Sequence, residues 1–66
     1  MSEGEYAASF LRGVLSKGPI ASKEVLRQAD SIGIAERSLW RGKRLAGVKA
    51  IKSGYSPSYW IWKLDE

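Results

Sequence analysis

Cysteine and histidine are both absent from this 66-residue chain. Their absence removes disulfide frameworks, thiol nucleophiles, imidazole acid–base chemistry and the usual zinc ligand sets together. Proline occurs only twice, and no apolar run approaches the roughly 20 residues that a membrane-spanning helix needs. The N-terminus lacks the basic-then-apolar layout of a secretion signal, so neither a membrane partner nor export is expected and the reading is cytoplasmic. One further absence is local: from Arg37 to Lys63 there is no Asp or Glu.

That acid-free stretch holds seven bases, Arg37, Arg41, Lys43, Arg44, Lys49, Lys52 and Lys63. Residues 1–36 hold four bases against five acids, and Asp65 and Glu66 close the chain. The net charge of +4 is therefore concentrated on one segment rather than spread. A concentrated positive field attracts a polyanion and gains affinity from counterion release when phosphates are neutralised. The bland alternative is a solvated basic surface, but ordinary surfaces intersperse both signs. With no imidazole or thiol, catalysis would need carboxylates. The acids lie at the termini or on the second predicted helix with no converging pair, so no enzyme activity, cofactor or metal is expected of this chain.

Sixty-six residues make a single domain, 1–66, near the lower size limit for folding without a disulfide or metal. A chain this short that begins MSEG and ends LDE fits a domain of a larger protein equally well. Three Trp, three Tyr and one Phe, in a chain that is 44% hydrophobic, supply a small core. Ala7, Phe10, Leu11, Val14 and Leu15 recur at helical spacing and predict helix 1 over 5–16, ended by Lys17, Gly18 and Pro19. Ile20 and Ala21 allow only a stub of strand. Ser22 is the expected N-cap of helix 2, 23–31, with Val25, Leu26, Ala29 and Ile32 facing inward. Gly33 breaks it.

Helix 3 is predicted over 36–46. At 100° per residue, Ala35, Leu39, Gly42 and Ala46 fall within about 60° of one another and form the inner side. Arg37, Trp40, Arg41 and Arg44 take the opposite side, where an ordinary solvent face would mix Glu with Lys. Gly47 stops the helix, and residues 48–64 read as a β-hairpin. Trp60, Trp62 and Leu64 share one strand face, expected to pack on the helices, and Tyr59, Ile61 and Lys63 the other. The fold class is mainly α with a small β-hairpin, an α+β arrangement.

Helix 2, Gly33 and helix 3 have the spacing of a helix-turn-helix unit: Ala29 is small where two helices approach, and Ile32, Ile34 and Leu39 can fill the angle between them. With helix 1 before and a hairpin after, the order is that of a winged helix, with a wing of two or three antiparallel strands. The run GPIASKEVLRQADSIGIAERSLWRGKRLAGVKAIKSG, with the closing YWIWKL, resembles the small winged-helix domain at the C-terminus of replication ATPases and primase–helicases of phages and mobile elements. The resemblance covers about Phe10 to Leu64. It departs from the pattern at Trp40, where a base is usual, at Gly42, where alanine is expected, and in its Tyr-Ser-Pro-Ser-Tyr wing tip. No glycine-rich phosphate loop is present, so the ATPase itself is not part of this chain.

The expected partner is double-stranded DNA, with other domains of a parent protein as further partners. The expected contacts are Arg37, Ser38, Trp40, Arg41, Lys43 and Arg44 on helix 3 and Lys49, Lys52, Tyr55 and Lys63 on the hairpin. Arg41 is the candidate base reader, since guanidinium matches guanine edges, with Arg37 and Arg44 mainly on phosphates. Ser38 can bond a phosphate near the helix N-terminus or serve as a local turn residue. Trp40 either covers sugar and thymine methyl groups or folds back on helix 2 or the wing. A transcriptional regulator, or a protein-interaction module centred on Trp40, Leu45 and Ile61, are the rival functions.

Overall fold

The computed structural model describes residues 2–54 and 59–65. Three helices and a small three-stranded antiparallel sheet follow in the order α1 (Glu3–Val14), β1 (Ile20–Ala21), α2 (Ser22–Ser31), α3 (Glu36–Ala46), β2 (Val48–Lys52) and β3 (Trp60–Leu64). This is a compact α+β fold.

Helix α1 begins two residues before the expected start because Ser2 caps it and is in turn held by Glu5. The Ser2 hydroxyl accepts the Glu5 amide at 3.1 Å and donates to the Glu5 carboxylate at 3.2 Å. The helix ends at Val14, not Ser16, yet Leu15 stays buried at its C-cap. Ala21, rather than Ser22, is the N-cap of α2. The reason is β1: Ala21 is still paired with Ile61 and held extended, so the helix starts immediately after it with no side-chain cap.

The α2–α3 turn is a Schellman motif. Ile34 N–H bonds the Ala29 carbonyl at 2.9 Å and Gly33 N–H bonds Asp30 at 3.1 Å. Gly33 has φ of 81°, a left-handed conformation in which a Cβ is strained. The motif corrects two expectations. Ile32 lies at the C-cap and is exposed, and Ile34, after the reversal, is the isoleucine that enters the core. Ala35, the N-cap of α3, is exposed as well.

The core gathers Ala7, Leu11 and Leu15 of α1 and its cap, Val25 and Ala29 of α2, and Ile34, Leu39 and Trp62. Full burial of each large apolar side chain is worth about 1.5–3 kcal/mol. Helix α3 packs most closely on α1, and Gly42 makes this possible. A Cβ at residue 42 would stand 2.6 Å from the backbone nitrogen of Ala8 and from the Ala7 Cβ. Around this crossing Ser38 donates to the Glu3 carboxylate at 3.1 Å, and Arg12 donates to the Leu45 carbonyl at 3.3 Å. The strand order is β1-β3-β2. Tightly paired β2 and β3 run from Val48↔Leu64 to Lys52↔Trp60, and β1 joins through Ile20↔Trp62 and Ala21↔Ile61. The two-residue stub thus widens the hairpin into a three-stranded sheet.

Candidate nucleic-acid interface

Helix α3 ends at Gly47, whose φ of 70° gives a left-handed cap, with Lys43 and Arg44 in the last turn complementing the helix dipole. Because Leu39 and Gly42 are committed inward, Arg37, Arg41 and Arg44 are left exposed on the far side. Among the described residues no carboxylate lies within ion-pair reach of these three guanidiniums. Their positions within the exposed side differ. The Cγ and Cδ of Arg41 lie over Gly4 of α1, since a Cβ there would come within 2.9 and 2.7 Å of them. The Arg41 stem is therefore supported by packing, while Arg37 and Arg44 stand nearer the centre of the exposed face.

Ser38 is not on that face. It is buried and bonded to Glu3, because at 100° per residue it lies about 40° from Gly42 and so points to α1. A phosphate contact through its side chain is closed off by α1. The same angular arithmetic, applied to Ser38, would have found this from the sequence.

Of its expected environments, Trp40 takes the one folded back onto the wing. It is 47% exposed, and its ring sits 5.2 Å from that of Trp62 at an interplanar angle of 57°. It thus folds onto the hairpin while keeping an open side. Lys43, half-buried, places its Nζ 5.1 Å from the Trp40 ring and 4.8 Å from the Trp62 ring. Such cation–π contacts hold the ammonium against the hairpin, about 100° or more around α3 from the three arginines.

Register divides the hairpin lysines. Lys52 pairs with Trp60 on the sheet face toward the helices, and its Nζ lies 5.5 Å from that ring. Lys49 pairs directly with Lys63 on the opposite face, beside Ile51 and Ile61. Two like charges placed opposite one another repel. Asp65, 3.4 Å from Lys49, offsets this. Trp62 is core, as expected, but Trp60, the first residue of β3 and paired with the last residue of β2, is 50% exposed. Tyr55 lies outside the described residues.

On α2 one acid is engaged locally. Glu24 accepts from Arg27, at 3.0 Å for Nε, and from Gln28 at 2.8 Å. The hydrogen bond from Arg27 leads, with that from Gln28 second, in lowering the Glu24 carboxyl to about 2. Among the described residues no three acids gather as a metal site, and no helix is long and apolar enough to cross a membrane. Comparison with family models, with curated proteins and with solved structures finds no match to this chain.

Proposed function

We propose that this chain is a winged helix-turn-helix domain that binds double-stranded DNA, with α3 entering the major groove and the hairpin lying along the adjacent backbone. The carrying observation is the row of three exposed guanidiniums on α3 without carboxylate partners among the described residues. An α-helix fits the major groove, and arginine forks suit both phosphates and guanine edges. The order of elements, the β1-β3-β2 sheet and the tight α2–α3 turn support the winged-helix reading.

In this reading Arg41 remains the base reader. Its stem already rests on α1, so less side-chain freedom is lost on docking. Arg37, Arg44 and Lys43 bind phosphates, and Lys52 is the hairpin base on the sheet face directed toward the helices. Lys49 and Lys63, on the outer face, contribute to the general field. The resemblance to replication ATPases and primase–helicases makes a module of a mobile-element replication protein the favoured context, acting inside the cell where DNA is reached.

The test is fluorescence anisotropy of labelled duplex DNA titrated with the chain at several salt concentrations, beside the double variant Arg41→Ala/Arg44→Ala. Binding should weaken steeply with salt, and the double variant should bind more weakly with a shallower slope. Absence of binding at low salt would refute the duplex reading and favour a protein partner for the same surface.

A further inference from the structure

All three tryptophans of the chain line one cleft between α2, α3 and the hairpin. Trp40, Trp60 and Trp62 share it with Leu26, Ala50 and Lys43, and it encloses about 220 Å³. Trp40 and Trp60 are each about half exposed, an unusual disposition for two indoles in so small a domain. A core in need of filling would have covered them. Two lysines border the cleft: Lys43 over Trp40 and Trp62, and Lys52 over Trp60. None of its described lining residues is acidic.

These features select among ligands. Aromatic cages capture cations, but here ammonium groups already occupy positions over the rings and would repel another cation. A neutral flat heterocycle carrying an anion satisfies both parts, the ring stacking on indole and the anion meeting Lys43 or Lys52. The volume is below the roughly 300–1,000 Å³ of pockets that enclose drug-sized ligands and suits a single planar group. Bases inside a duplex are stacked on their neighbours and cannot enter such a cleft.

We infer that the tryptophan cleft receives one unpaired nucleobase from a strand that continues beyond the duplex held by α3, so that the domain binds a junction of double- and single-stranded nucleic acid. This rests on the duplex-binding reading above and adds to it a second contact of a different kind. Trp60, half exposed, supplies the stacking surface once Lys52 turns from its ring to a flanking phosphate, Trp40 and Trp62 form the wall, and Lys43 meets a second phosphate.

Because every tryptophan of the chain lies at this cleft, intrinsic fluorescence reports on it directly. The full chain is titrated at low salt with a blunt duplex, the same duplex carrying a short dT overhang on either strand, and the dT strand alone. One overhang duplex should bind about 5- to 140-fold tighter than the blunt one, the span that one base–aromatic stack supplies, and should quench the emission. Trp60→Leu, with its folding checked by circular dichroism, should bind blunt duplex like the wild type and lose the preference for the overhang. Equal affinity for blunt and overhang duplexes, without extra quenching, overturns the cleft proposal and leaves duplex binding intact. Failure of all three DNAs to bind overturns both readings together. The wild-type comparison decides the matter even where Trp60→Leu does not fold.

Discussion

Replacing Gly42 by Ala is the sharpest test of how α3 is held. By local propensity the change should help, since alanine in a helix interior is favoured over glycine by about 1 kcal/mol. Packing opposes it. The new Cβ would stand 2.6 Å from the Ala8 backbone nitrogen and the Ala7 Cβ, and 2.7 Å from the Ala7 carbonyl carbon. Ordinary carbon contacts lie at about 3.5–4.0 Å, so α1 and α3 must separate by roughly 1 Å. Two of the three obstructing atoms are backbone, and no rotamer change can move them. Separation loosens a seam that includes fully buried Ala7, Leu11 and Leu39. Overpacking costs about 1–3 kcal/mol, and a backbone obstruction belongs at the upper end. After the gain in propensity, about 2 kcal/mol of destabilisation remains. A domain of this size has about 3–10 kcal/mol in all, and the melting midpoint should fall by about 8–16 °C. Thermal and urea unfolding followed by circular dichroism measure this. Gly13→Ala is the control, because a Cβ there meets nothing within 4 Å and should stabilise by about 0.5–1 kcal/mol. If Gly42→Ala melts at or above the wild type, the close approach of α1 and α3 is wrong.

Ser38→Ala should cost about 1 kcal/mol by removing the bond to Glu3, with DNA affinity unchanged in anisotropy; a selective loss of DNA binding in a fully stable variant would return Ser38 to the interface. Lys52→Ala should weaken binding to all duplex sequences and reduce the salt slope by about 1, with a smaller effect from Lys49→Ala, whose charge lies on the outer face beside Asp65. Equal losses from the two would contradict the division of faces. Glu24 has a folded-state pKa lowered to about 2 from 4.5, so its stabilising contribution is present above about 4.5 and lost as pH falls through about 2. Glu24→Gln should accordingly show a shallower decline of urea midpoint over that window than the wild type, and parallel curves would refute the role of the Arg27 bond.

The helices and the hairpin were legible because apolar periodicity and the glycines at 33 and 47 agree with one another. The boundaries of α3, 36–46, need no revision. The errors have separate physical causes. Helix α1 starts earlier than apolar periodicity predicts because the periodic residues begin after the Ser2 N-cap, a capping signal that is readable in the sequence. Ser22 has the chemistry of a cap, but pairing of Ala21 with Ile61 sets where α2 begins, and that pairing is long-range. Of the interface, the exposure of Arg37, Arg41 and Arg44 was readable from one helical wheel. The separation of Lys52 from Lys49 follows from strand parity and was equally available. What could not be read was the cleft: alternation places Trp60 inward with Trp62, whereas α2 and α3 cover its end of the strand only in part.

The α1–α3 seam also bears on how sequence would be discriminated. Contacts advance together along the two helices, from Glu3 with Ser38 through Gly4 with Arg41 and Ala7 with Gly42 to Arg12 with Leu45. A helix braced at so many levels cannot roll or slide to accommodate a poor site. In the duplex reading, adjustment falls to the DNA, and sequences that bend or widen readily at little elastic cost would be preferred even at positions no side chain touches.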